Sequence, residues 1–323
     1  MTRVQPTADF PDRRDGRVYL MPEKLELAVD VALATGRPLL LRGEPGAGKS
    51  SLAAYVARER GWRYCEHVVT SQTQARDLLW TFDGVRRLAD AQTGGKLPDT
   101  DTYIQPGVLW WALAPDSAAS HRRAGTLAGP ESMRFSDVNS DRSADDTVVL
   151  IDEIDKADPD LPNGLLVPLA AGSFTVTETG EVVAKRTDGQ GAGPRHLVII
   201  TTNEDRELPE AFLRRCVVVW LDSPGKDQLI RIALAHLATY EDPPTESDRA
   251  LAESLAEEIM AARQEALKRR IRPASTAEYL DALRACRSLG IAVNSEEWKL
   301  LRQFVFLKPQ QPGGPDGGQG MDW

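Results

Sequence analysis

The sequence predicts an α/β domain, with helices packed on a parallel β-sheet, followed by a small all-α domain. Three observations predict it. The apolar run Leu39-Leu40-Leu41 leads into Gly43-Glu44-Pro45-Gly46-Ala47-Gly48-Lys49-Ser50 and then a helix-like stretch, Ser51 to Arg60, that closes at Gly61. Two further apolar runs, Thr147 to Ile151 and Leu197 to Thr201, each end in polar residues, as strands buried on both faces of a parallel sheet do. After Pro224 the strand-like runs stop and helical spacing takes over.

In chain order, the first 18 residues are polar, carry Pro6 and Pro11, and read as irregular. Helical spacing runs from Glu23 to Ala34, Gly36 suits its end, and Pro38 blocks continuation. Tyr19 and Leu20, just ahead of it, are open to two readings, packing on an adenine base or packing in the core. Between Gly43 and Ser50 the glycines let the backbone curl until successive N–H groups point at one anion, and the following helix N-terminus adds partial positive charge. Such a loop binds phosphate. Lys49 is placed to reach the β- and γ-phosphates of a nucleotide and Ser50 to hold Mg²⁺, with Ser51 carrying the chain into the helix. The next strand, Trp62 to Val69, alternates apolar and polar residues, and a polar side chain from Thr70-Ser71-Gln72-Thr73 is a candidate partner for Glu153 when nucleotide is absent.

About 75 residues separate that strand from the next, where a crossover needs about a dozen. Within this insert, residues 72–146, Leu78-Leu79-Trp80 and Val108 to Leu113 read as short packed elements. Pro115 to Asp146, rich in Ser, Asp, Arg, Gly and Ala, reads as a flexible loop. Thr147 to Ile151 then delivers Asp152-Glu153 at the ligand-binding end of its strand, Asp152 suited to the Mg²⁺ shell and Glu153 to activating water as general base. Asp155, Lys156 and Asp158 read as solvated or interface charges. A second insert, residues 173–195, alternates with period two from Ser173 to Lys185 around Thr179-Gly180 and reads as a β-hairpin, either a surface ornament or a substrate-contacting element. Leu197 to Thr201 ends in Thr202-Asn203, whose amide suits holding an attacking water and a γ-phosphate together. A fifth strand runs from Val217 to Leu221.

Beyond it, Lys226 to Thr239, Ser247 to Arg270, Ser275 to Ser288 and Ser295 to Leu307 have helical character, broken at Pro243-Pro244, Pro273 and Gly290. The basic run Arg263, Lys268, Arg269, Arg270 and Arg272 reads as a solvated helix end. Arg272 is its candidate nucleotide contact, because Pro273-Ala274-Ser275-Thr276 restarts a helix there with Ser275 or Thr276 as cap. The tail, 309–323, is rich in Pro, Gly and Gln and reads as disordered, with Met321-Asp322-Trp323 a possible hook for a partner. A net charge of −9 argues against coating nucleic acid. Cys65, Cys216 and Cys286 lack metal-binding spacing and read as buried free thiols. With no apolar run long enough to span a bilayer and no signal-peptide core at Met1 to Pro6, a cytoplasmic protein without membrane contact is expected.

GEPGAGKS, VVLIDEIDKAD, VIITTNEDRELPEAFLRRC and KRRIRPASTAEYLDALRA resemble the AAA+ ATPases, and within them the MoxR-like group and its dynein-related relatives, over roughly residues 19 to 290. The resemblance implies a P-loop NTPase αβα sandwich over residues 19–223, its five parallel strands ordered 5-1-4-3-2, and a helical lid over 224–308. By the same resemblance Lys49 and Ser50 fall in Walker A, Asp152 and Glu153 in Walker B, Asn203 at sensor 1, Arg214 or Arg215 at the arginine finger and Arg272 near sensor 2. It further implies ATP rather than GTP, a homo-oligomeric, hexameric ring, and remodelling of a protein client through a separate von Willebrand A-domain partner. Two alternatives stay open: a McrB-like GTP-dependent motor subunit of a restriction system, and a nucleotide-dependent switch in a signalling or anti-phage module.

Overall fold

The computed structural model describes residues 15–124, 136–143, 145–185, 195–239, 243–269 and 271–306. The expectations for residues 1–14, for Arg270 and for the tail with its Met321-Asp322-Trp323 end fall outside them. The chain divides into two compact units, one ending at Ser223 and the other beginning at Pro224.

In the first unit, strands β1 (Leu39–Gly43), β2 (Arg63–Val68), β3 (Thr147–Asp152), β4 (His196–Thr202) and β5 (Val217–Leu221) form one sheet in the order β2-β3-β4-β1-β5. Every pairing is parallel, so the 5-1-4-3-2 order implied by the family resemblance is the observed one. Side chains alternate across the sheet with period two. Leu39, Leu41, Val148, Leu150, Leu197 and Ile199 pack under α1 (Glu23–Thr35) and α2 (Lys49–Glu59), while Leu40, Val149, Ile151, Val198 and Ile200 pack against the insert on the other face. All six residues of β3 are buried, which is why its sequence is apolar without alternation. α1 ends where expected, at Gly36 in the left-handed region with φ 65°.

The described part of the insert holds more regular structure than its composition suggested. Trp80–Phe82 pairs antiparallel with Ile104–Pro106. Helices run over Gly84–Gln92, Val108–Leu113 and Pro115–Ala124. The last of these corrects the expectation of a loop from Pro115, whose portions at 125–135 and 144 lie outside the described residues. Few large apolar residues are needed there, because Ala118 is fully buried and the helix is held by polar contacts: His121 Nε2 lies 2.8 Å from Glu181 Oε2 and Ser117 Oγ 3.1 Å from Glu181 Oε1. Glu181 belongs to the second insert, where Ser173–Thr175 and Val182–Ala184 form the expected antiparallel hairpin; residues 186–194 lie outside the described set. Trp80 stacks on Phe174 with ring centroids 5.6 Å apart and donates from Nε1 to Glu178 Oε2 at 2.7 Å, joining the two inserts a second time.

The second unit is helical: Lys226–Leu237, Glu246–Arg269, Thr276–Leu289 and Glu296–Val305, around a core that includes Leu229, Ile259, Tyr279 and Trp298. Ser275 is the cap of the third helix, in a reciprocal box with Glu278. Arg263 departs from its reading as part of a solvated helix end. It is buried and donates to the carbonyls of Ala274 and Pro224 at 2.8 and 2.7 Å. Among the described residues no helix is long and apolar enough to cross a membrane.

Candidate nucleotide site

The site grows from the C-terminal edge of the sheet, where β1, β3 and β4 release their chains. Gly43 ends β1 with φ 142°, and a Cβ there would stand 2.2 Å from the Leu221 carbonyl of β5, so only glycine lets the loop leave the sheet. Gly48 caps α2 in the left-handed region with φ 89°, and α2 starts at Lys49, which aims the first N–H groups of that helix into the curl of the loop. Lys49 is 5 % exposed and its ammonium donates to the carbonyls of Gly43 and Glu44 at 2.6 and 2.8 Å, using two of its three N–H groups. Burial lowers its pKa, and the carboxylates of Asp152, Asp155, Glu153 and Glu44 pull the other way. Glu44 in turn accepts from Ser223 Oγ at 2.7 Å, tying the loop to the residues after β5. Tyr19 lies beside this loop, its ring 5.4 Å from that of Tyr55 and close to Gly48.

Asp152 is the hub. Its Oδ1 accepts from Ser50 Oγ at 2.7 Å and from Thr201 Oγ1 at 2.6 Å, so the helix after the loop, β3 and β4 meet on one buried oxygen. The Thr201 hydroxyl also accepts the backbone N–H of Glu153 at 2.9 Å. Glu153 stands in the left-handed region at φ 61°, ψ 49°, a conformation costing a side-chain-bearing residue about 1–3 kcal/mol. The surroundings over-determine it, and the effect is to turn the Glu153 side chain out of the strand direction. Its carboxylate is met by the Asn203 amide at 3.4 Å and by the Lys156 ammonium, which that bond holds above its ordinary pKa.

The structure thus brings together Lys49, Ser50, Asp152, Glu153 and Asn203. Thr70 and Thr73 bond to each other, with Thr70 N–H donating to Thr73 Oγ1 at 2.9 Å, and the side chains that meet Glu153 are Lys156 and Asn203. Arg214 and Arg215 are exposed at the end of the short helix Glu210–Leu213, where Arg214 pairs with Glu210 at 2.8 Å and Arg215 donates to the Ala211 carbonyl at 2.9 Å. Arg272 is exposed within the helical unit. Sequence reasoning missed Thr201, whose signal was a hydroxyl closing an otherwise apolar strand. It also misread Asp155, which is 2 % exposed rather than solvated.

The residues present fit a magnesium nucleotide. The convergent donors are a hydroxyl and a carboxylate, hard oxygen ligands of the kind Mg²⁺ takes alongside water and phosphate. Among the described residues no group of three or more His, Cys, Asp or Glu is placed to cage an ion unaided, and an ion completed by phosphate oxygens needs none. Loop, helix and tandem acids at the edge of a parallel sheet define a P-loop nucleotide-binding domain.

Residues 38–216 match the family profile described as AAA domain (dynein-related subfamily). The chain belongs to that family, and so to the AAA+ ATPases: it binds nucleotide and hydrolyses ATP. Among curated proteins no sequence matches it. Among solved structures it is similar to the crystal structure of a "putative ATPase" from Cytophaga hutchinsonii ATCC 33406, at 14% identity over 91% of this chain and 83% of that one. The TM-score between the two is 0.42.

Proposed function

We propose that this chain is a MoxR-like remodelling ATPase of the cytoplasm, assembled as a hexameric ring and acting on a protein client through a separate von Willebrand A-domain partner. The observation that carries the catalytic part is the single Asp152 oxygen shared by Ser50 and Thr201, with Glu153 turned out beside it. In this reading the loop from Gly43 to Ser51 cradles the phosphates, Lys49 moves from its carbonyls to the β- and γ-phosphates, and Ser50 and Asp152 hold Mg²⁺. The ion would neutralise charge on the phosphates. Glu153 takes a proton from water as the water oxygen bonds to the γ-phosphorus; the bond from that phosphorus to the bridging oxygen breaks, leaving ADP and phosphate. Asn203 orients the water from the other side.

Arg214 and Arg215 support the ring. Both are exposed, at a helix end, and a planar, permanently charged fork suits the charge that develops on a transferring phosphoryl group in a neighbouring subunit. Arg272 is assigned the second sensing contact on resemblance alone. The test is complementation. Lys49→Ala removes ATP binding, and the double change Arg214→Ala, Arg215→Ala keeps binding while losing turnover. Mixing the two inactive proteins restores part of the activity at interfaces that combine an intact loop with an intact finger. Activity independent of protein concentration, in a protein that stays monomeric with ATP, would overturn the ring and the finger together.

A further inference from the structure

The proposed mechanism leaves unexplained a buried carboxylate two residues past the general base. Asp155 sits in the single turn Ile154–Lys156 that follows β3, and its Oδ2 accepts the backbone N–H groups of Asn203 at 3.1 Å and of Asp205 at 2.9 Å. Two N–H groups separated by one residue converge on one oxygen because Glu204, between them, is left-handed with φ 64°. That is the anion-holding nest of a turn, filled here by a side chain of the same chain. Three more contacts fix this loop: Glu204 N–H donates to Thr202 Oγ1 at 3.0 Å, the Glu204 carboxylate pairs with Arg42 at the root of the phosphate loop, and Arg206 donates to the Ala157 carbonyl at 3.0 Å. A buried carboxylate is costly unless it is bonded, and charge-assisted bonds to backbone N–H are among the stronger ones. The arrangement therefore holds the backbone from which the Asn203 side chain springs, against the turn that carries Glu153.

We infer that Asp155 is a positioning residue for hydrolysis: it acts through Asn203, locking the sensor loop to the Glu153 turn so that amide and carboxylate face the same water. The inference rests on the roles proposed above for Asn203 and Glu153. Asp155 acts through the backbone of that loop, by way of the Asn203 and Asp205 N–H groups.

The test compares steady-state ATP hydrolysis by full-length Asp155→Ala, Asp155→Asn, Asn203→Ala and the double variant Asp155→Ala, Asn203→Ala. Asn203→Ala is expected to lower kcat by about 100-fold, the scale set by misplacing a reacting group by about 1 Å. Asp155→Ala should lower kcat similarly with KM for ATP little changed, and Asp155→Asn, which keeps an oxygen acceptor, should recover most of the loss. The double variant should be no worse than Asn203→Ala, because the two residues act in series. Losses that multiply, or Asp155→Ala at the wild-type rate, overturn the positioning role and leave the site assignment standing. A wild-type rate for Asn203→Ala overturns both. Should Asp155→Ala fail to fold, hydrogen exchange of the wild-type protein decides: the Asn203 and Asp205 amides are expected to be protected, and free exchange at both refutes the lock.

Discussion

The two units bury polar side chains at different ranges along the chain. In the α/β unit the contacts around Asp152 and Asp155 join distant segments: Ser50 to Asp152, Thr201 to Asp152, Asp155 to Asn203 and, at the margin, Arg42 to Glu204. In the helical unit they are mostly local and close helix ends. Asp248 accepts from Thr245 N–H and hydroxyl three residues before it, and Ser275 and Glu278 cap each other. Arg263 and Tyr279 reach further: Arg263 donates to the carbonyls of Ala274 and Pro224, and the buried Tyr279 hydroxyl donates to the Ala252 carbonyl at 2.9 Å. Both kinds satisfy groups that would be costly to bury unpaired, but only the long-range kind assembles a reactive surface. Strain follows the same division, since Glu153 and Glu204, both left-handed, lie in the α/β unit, while the left-handed Asn294 of the helical unit is a loop residue of a type that tolerates it.

Four experiments sharpen or break that contrast. Arg263→Ala strands two buried carbonyls and should cost about 2–5 kcal/mol of stability, read from urea unfolding. A loss under ~1 kcal/mol would mean that the helical unit does not depend on this long contact. Thr201→Val should do the opposite: it takes one donor from Asp152 and removes the acceptor of the Glu153 N–H, lowering turnover by about 100-fold while ATP binding survives. Turnover that falls only in step with thermal stability would make Thr201 an ordinary buried hydroxyl.

The third experiment uses one histidine in each unit. Burial pushes His196 in β4 and His236 in the first helix of the second unit down to about 4. Unfolded, each titrates near 6.5, so the unfolded chain binds protons first and stability falls as pH drops from about 6.5 to about 4. Above that window the two contribute no pH dependence. His196→Gln with His236→Gln should flatten this part of the Tm profile, and an unchanged slope would assign it to carboxylates. The smallest effect is expected from Ser275→Ala, about 1 kcal/mol for a lost helix cap with its box, measured by denaturant unfolding with turnover per folded molecule little changed.

Legibility tracked contact range. Gly43 to Ser50, the apolar β3 and β4 and the alternating hairpin from Ser173 to Lys185 were readable because each signal lies within one short stretch of chain and is set by backbone conformation or by one face of one element. Cap residues were nearly readable for the same reason; the sequence left Ser275 and Thr276 open, and the reciprocal bonds with Glu278 chose Ser275. Composition misled at Pro115–Ala124, where small and polar residues read as loop but the helix is secured by Glu181, some 60 residues away.

The sequence by itself determined that the chain holds a phosphate loop, a strand ending in two acids, a further strand ending at Thr202-Asn203 and a helical second unit, since those follow from periodicity and local backbone chemistry. Tertiary structure alone decided that Asp155 is buried and holds the Asn203 loop, that Thr201 shares Asp152 with Ser50, that Lys156 meets Glu153, and that Arg263 is interior. A polar residue spells the same word in a solvated turn and in a buried lock. Which it becomes depends on the groups that packing brings to it from other strands, and for Asp155 those are N–H groups 48 and 50 residues further along the chain.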